Sequence, residues 1–225
     1  MQKLVVLTGA GMSAESGIPT FRGTDGLWEG HRVEQVASPE GWRSNPELVL
    51  DFYNQRRKKL LEVSPNRGHQ ILVELEQNFD VTIVTQNVDN LHERAGSTNV
   101  VHLHGLLTQS RSTKDPTLIY EIQGWQLKLG DLCEKGSQLR PNIVWFGENV
   151  PMIEVAADIC NTADIFVVVG TSLVVYPAAG LTQCVPVQAR KFIIDPNIPG
   201  SIDLRDFQAI PEVASRGLER LQKVL

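Results

Sequence analysis

Apolar positions in this chain come in short, nearly unbroken runs rather than in alternation. Six of them, at residues 4–7, 81–85, 100–103, 143–146, 165–169 and 192–194, are rich in branched aliphatic side chains. A strand with one wet face alternates apolar with polar, whereas a strand covered on both faces does not. The runs therefore predict a parallel sheet buried between helices. Helical patterns lie between several of them. Asn45-Pro46-Glu47 predicts an N-cap, then proline at the first helical position, opening a helix through about Leu61. Residues 69–77 are amphipathic, and residues 88–94 lead to Gly96, a candidate C-cap. This strand–helix alternation predicts an α/β fold, a Rossmann-like parallel sheet with helices on both faces. A polar stretch punctuated by Gly124, Gly130 and Gly136 interrupts it. The expected division is a main domain of residues 1–105 and 140–225, carrying a helical insertion at about 30–65, and a small lobe at 106–139.

Composition narrows the picture. With 225 residues, 42% of them hydrophobic, the chain can bury one core plus an appendage. A formal net charge of −5 argues against a nucleic-acid partner. No apolar run approaches the roughly 20 residues of a membrane span. Met1-Gln2-Lys3 leads straight into the first apolar run, unlike a secretory signal. A cytoplasmic location is expected, and a monomer is plausible. Cys133, Cys160 and Cys184 are scattered and odd in number, which argues against a disulfide framework.

Three clusters at predicted strand ends carry chemistry. Gly9-Ala10-Gly11-Met12-Ser13-Ala14 has the G-x-G-x-x-G/A spacing of a dinucleotide turn, although any tight strand–helix connection uses glycines. The next segment, from Glu15 through Thr20, Phe21 and Arg22 to Trp28, is too rich in Gly and Pro for a long helix. It reads as a functional cover over a nucleotide or as a plain surface connection. Gln86-Asn87-Val88-Asp89 sets two amides and a carboxylate at the crevice. His102-Leu103-His104-Gly105 puts two imidazoles on one side of a strand, His104 nearer the crevice and suited to a general base, His102 better suited to packing. No third ligand in register supports a metal there. Gly170-Thr171-Ser172 suits phosphate or ribose contact, or is a simple turn.

Taken in order, these clusters together with Ser16-Gly17-Ile18-Pro19-Thr20-Phe21-Arg22 and Val144-Trp145-Phe146-Gly147-Glu148 resemble the sirtuin family over nearly the whole chain. The resemblance implies an NAD-consuming lysine deacylase acting on acyl-lysine proteins, with nicotinamide, O-acyl-ADP-ribose and free lysine as products. It implies that Gly9, Ala10, Gly11, Ala14, Thr20, Phe21, Arg22 and Trp28 hold NAD. Asn87 and Asp89 would meet the nicotinamide and its ribose, Gln86 the ribose, and Gly170, Thr171 and Ser172 the dinucleotide further along. His104 would deprotonate a ribose hydroxyl. Val144, Phe146, Gly147, Glu148, Val174 and Val175 would hold the substrate peptide as an added strand.

Tyr53 and Arg56 lie three apart on the predicted helix and so share a face. They resemble the Tyr-x-x-Arg pair of the bacterial acidic-acyl branch, which removes succinyl and malonyl groups. Arg56-Arg57-Lys58-Lys59 also reads as an ordinary solvated basic face. Two departures stand out. Sirtuins commonly hold zinc with two Cys-x-x-Cys pairs, whereas this lobe has only Cys133, with Ser112 in the first ligand position. No zinc is expected, and Leu118, Ile119, Trp125 and Leu127 are expected to pack the lobe. Asp195 stands where the family usually has Asn against the adenine-side ribose, and Ala214 falls in a segment resembling the adenine contact. The rival readings are an NAD glycohydrolase or ADP-ribosyltransferase on the same scaffold, and a non-catalytic NAD or ADP-ribose sensor.

Overall fold

The computed structural model describes residues 1–20, 27–28, 30–198, 200 and 205–225. In chain order the elements begin with β1 (Lys3–Thr8), α1 (Gly11–Ala14), β2 (Leu27–Trp28), β3 (His31–Arg32), α2 (Val33–Val36), α3 (Pro39–Ser44), α4 (Pro46–Glu62) and α5 (Arg67–Leu75). There follow β4 (Asp80–Thr85), α6 (Leu91–Ala95), β5 (Val100–His102), β6 (Gly105–Ser112), β7 (Ile119–Glu121), β8 (Leu139–Ile143) and α7 (Ile153–Cys160). The chain ends with β9 (Ile165–Val169), a 3₁₀ turn (Ala178–Cys184), β10 (Arg190–Ile194), β11 (Phe207–Ile210) and α8 (Ala214–Gln222).

The main sheet is parallel, in the order β11-β10-β9-β1-β4-β5. The near-continuous apolar runs acquire their reason here. Leu4, Val6, Ile83, Val167 and Ile194 face α5 and α8 in one cluster; Val5, Leu7, Val84, Phe166, Val168 and Ile193 face α7 and the 3₁₀ turn in another. Successive side chains point to opposite faces, and both faces are dry. From β1 the chain winds outward through β4 to β5, then returns to β9 on the other side of β1. The strand order thus reverses between β1 and β9, where open α/β sheets bind ligands beyond their carboxyl ends. Register makes those ends level, Thr8 opposite both Thr85 and Val169, and Val169 opposite Ile194.

The expected helices form, with adjusted limits. Asn45 caps α4 by accepting the Leu48 N–H, with Pro46 behind it. The turn at residues 88–90 stays outside α6, which closes on Gly96 at φ 111°. The run at 143–146 is corrected. It is no strand of the parallel sheet; Ile143 ends β8, which pairs antiparallel with β6, and Trp145 is buried against the cluster beneath α4. An apolar run signals burial, and here the covering element is a helix. Three strands, β7-β6-β8, make the second sheet. Among the described residues, no helix is long and apolar enough to cross a membrane.

The expected packing of this lobe also needs correction. Leu127 is buried, but Ile119 is 48% exposed. Leu107 packs into the cluster under α4, and polar contacts add to the attachment. Arg57 on α4 is 1% exposed, and donates from Nε to the Leu107 carbonyl at 2.6 Å and from Nη1 to the Trp125 carbonyl at 2.7 Å. Asn54 donates to the Leu127 carbonyl and accepts the Leu127 N–H, each at 2.9 Å. Around Ser112, the Ser112 and Ser137 hydroxyls lie 2.7 Å apart and Cys133 Sγ lies 3.1 Å from Ser137 Oγ. Two neutral hydroxyls and one thiol do not fit a tetrahedral zinc site. Among the described residues, no three His, Cys, Asp or Glu gather as metal ligands.

Candidate functional site

A cavity of about 850 Å³ opens over the carboxyl ends of β1, β4, β9 and β10. That is within the size range of small-molecule sites. Gly9, Ala10, Gly11, Ala14, Thr20, Trp28, Tyr53, Arg56, Gln86, Asn87, Asp89, His104, Val144, Phe146, Gly147, Gly170, Thr171, Ser172, Asp195 and Ala214 all line it. Phe21 and Arg22 lie outside the described residues. Val174 does not line the cavity and is 61% exposed, whereas Val175 does line it. Ser13, Ile18, Tyr176 and Asn197 also line the cavity and were not singled out as site residues. Ser13 had a signal, its place inside the glycine turn.

The glycines at β1 are required by the protein's own packing. A Cβ on Gly9 would fall 2.6 Å from Thr171 Cβ, and one on Gly11 would fall 2.6 Å from Gly170 Cα. The two turns at the switch point interlock, with Gly9 N–H donating to the Val169 carbonyl and Gly11 N–H to the Gly170 carbonyl. α1 is one turn long, and the N–H groups of Met12 and Ser13 donate to the Gly9 and Ala10 carbonyls.

At the end of β4, Gln86 reaches across to donate to Thr171 Oγ1 at 3.1 Å. Asn87 is buried, and its Nδ2 donates to the Gly9 carbonyl at 3.0 Å and to Ser13 Oγ at 3.2 Å. Both amide protons are thereby spent, leaving Oδ1 as the side chain's acceptor. Ser13 Oγ donates to Asp89 Oδ2 at 2.9 Å, and Asp89 Oδ1 accepts the Leu91 N–H at 3.1 Å. Burial raises the Asp89 carboxyl despite these bonds.

His104 follows β5. Its Nδ1 lies 3.0 Å from the Gln86 carbonyl oxygen, which only accepts, so Nδ1 carries the proton and Nε2 keeps a bare lone pair. Burial lowers its pKa below the ordinary value; the bond to Gln86 opposes that. His102 is neither packed in the core nor at the cavity. Its Nε2 lies 2.6 Å from Glu93 and its Nδ1 3.1 Å from the Asn87 carbonyl.

Tyr53 and Arg56 do reach one cavity. The Tyr53 hydroxyl accepts from Trp145 Nε1 at 3.0 Å, which leaves its own proton to donate, and burial pushes its pKa upward. Arg56 stacks its guanidinium 4.2 Å from the Trp28 ring centre. Glu148 fixes the neighbouring loop, accepting from Trp145 N–H, Arg140 and Arg111. Charge is divided along the cavity. Arg56 and Lys59 line it on the α4 side, while Glu15 and Asp195 line it beside β1 and β10.

The Sir2 family profile matches residues 9–177. An NAD-dependent protein deacylase of Bacteroides thetaiotaomicron is 56% identical over 230 residues, covering 100% of this chain and 98% of that protein. One from Helicobacter pylori is 52% identical over 227 residues, with 100% and 98% covered. A solved complex of a Sir2 homologue with NAD superposes with a TM-score of 0.87 at 41% identity, covering 99% of this chain and 90% of that one.

Proposed function

The chain belongs to the Sir2, or sirtuin, family, and from that premise we propose that it is an NAD-dependent protein-lysine deacylase releasing nicotinamide, O-acyl-ADP-ribose and free lysine. The carrying observation is one cavity that gathers the β1 and β9 turns, the Asn87–Asp89 cluster, the bare nitrogen of His104 and the Tyr53–Arg56 face. A dinucleotide suits these residues. Its adenosine would lie toward Asp195 and Ala214, its pyrophosphate at the interlocked turns, and its nicotinamide end over β4 and β5. NAD, when bound, supplies the ribose carbon that accepts the acyl oxygen.

The protein's part is orientation and proton handling. Asn87 Oδ1 accepts from the carboxamide or a ribose hydroxyl. Asp89 would face the cationic ring of bound NAD, which would favour its carboxylate and offset the cost of burying it. His104 Nε2 takes a ribose hydroxyl proton, while its Nδ1–H bond to Gln86 stiffens the ring. Phe146 and Val175 flank an extended peptide, with Val144 and Gly147 beside it, and the acyl chain runs toward α4. There Arg56 and the Tyr53 hydroxyl bind a distal carboxylate, so malonyl- and succinyl-lysine are the favoured substrates.

Incubation with NAD, with and without a succinyl-lysine peptide, tests the reading. Nicotinamide release only in the presence of peptide supports it. Release without peptide indicates a glycohydrolase; no release in either case indicates a sensor.

A further inference from the structure

Beneath the β4 side of the cavity lie two imidazoles that the proposed chemistry does not use. His69 on α5 and His92 on α6 are both fully buried, with ring centres 4.8 Å apart. Their bonds assign their tautomers. The Asn66 backbone N–H donates to His69 Nδ1 at 3.2 Å, so that nitrogen is bare and the proton sits on Nε2. Thr8 Oγ1 gives its one proton to Thr85 Oγ1 at 2.8 Å. Its 3.2 Å contact with His92 Nε2 is then one in which the imidazole donates, and His92 Nδ1 is bare. Among the described residues, neither His69 Nε2 nor His92 Nδ1 has a hydrogen-bond partner. The two rings pack against each other with no hydrogen bond between them. Burial disfavours a second proton on either ring.

The direction set here continues into the site. Thr85 Oγ1, already accepting from Thr8, also accepts the Asn87 N–H at 3.0 Å. Asn87 in turn holds Gly9 and Ser13, and Ser13 holds Asp89. A threonine hydroxyl rotates freely unless a neighbour compels it; a donor at His92 Nε2 turns Thr8 toward Thr85.

We infer that His92, packed against His69, is a positioning residue for the nicotinamide end of the site, acting through Thr8 and Thr85 on Asn87, Ser13 and Asp89. The inference rests on the assignment of Asn87 and Asp89 proposed above.

Two measurements test it. Ring ¹⁵N spectra of the folded protein at pH 7 should show His69 and His92 as Nε2–H tautomers and His104 as Nδ1–H. An Nδ1–H tautomer at His92 overturns the chain. Then His92→Phe, which keeps bulk without a donor, should lower kcat for nicotinamide release at least tenfold. Its Kd for ADP-ribose, which lacks nicotinamide, should change less than threefold. His92→Gln, whose amide returns a donor near Nε2, should recover most of the rate. Loss of rate and ADP-ribose affinity in parallel, or no recovery with Gln, overturns the positioning role. Wild-type protein that does not bind ADP-ribose defeats the nucleotide reading itself, and this inference with it.

Discussion

An imidazole whose Nδ1 proton is committed to the Gln86 carbonyl has only Nε2 with which to act as a base. With its pKa lowered by burial, His104 should be neutral at pH 7 and stay so below it. The acid limb of kcat/KM should therefore have an apparent pKa under the ordinary 6.5 of histidine. His104→Ala should abolish that limb and cost about 10²- to 10⁴-fold in rate. Arg56 makes a different prediction, because its role is selection among substrates. Arg56→Met should cost about 10- to 150-fold in kcat/KM on succinyl-lysine, the scale of a charged hydrogen bond, and much less on acetyl-lysine. Equal losses on the two peptides would remove Arg56 from the acyl pocket. Its sequence neighbour had no such signal. Arg57 stands in a run of four cations, yet it alone of the four is fully buried. Only the three-residue spacing from Tyr53 sets Arg56 apart in the sequence; a helix rotation of about 100° per residue sends Arg57 to another face.

α4 is the element on which the parts converge. One face carries Tyr53 and Arg56 to the cavity, and Asn54 and Arg57 anchor the lobe through main-chain carbonyls. Among the described residues Arg57 has no carboxylate partner, and burial lowers its pKa to about 10. Replacing it with Ala would strip two lobe carbonyls of a charged donor and leave a cavity. Hydrogen bonds to a charged donor contribute about 1.5–3 kcal/mol each, so losing both should cost about 3–5 kcal/mol. Urea unfolding of Arg57→Ala should show a loss of that order, and an effect under 1 kcal/mol would mean that the lobe does not depend on this anchor. The lobe also shows where sequence patterning misleads. Ile119 looks like core in a polar stretch, but it lies on β7 at the edge of the three-stranded sheet and is 48% exposed. Hydrogen bonds to α4 and the burial of Leu107 beneath it carry the attachment.

At the scale of the whole molecule, the two-faced core encloses titratable groups whose protonation opposes folding. Burial lowers His69 to about 4, and His92 and His104 shift the same way. The unfolded chain takes up these protons near pH 6.5 and the folded chain does not, so stability is full above that pH and falls as pH drops toward 4. His69 alone should account for about 2 kcal/mol between pH 7 and 5. Asp89, raised by burial, works in the opposite direction. A denaturation midpoint that is flat over that window would count against neutral buried imidazoles. The parallel sheet, the capped start of α4 and the cluster residues at strand ends were legible in the sequence. Each depends on local chemistry: runs of branched aliphatics, an Asn-Pro cap, glycines at a tight turn. Tertiary structure alone decided which apolar run joined which sheet, as Ile143 and Trp145 show. It also decided that Gly9 and Gly11 face Gly170 and Thr171 across a switch point, and which nitrogen of each histidine is bare. Those depend on partners up to some 160 residues away in the chain, and a hydrogen bond's direction is set only by the group at its other end.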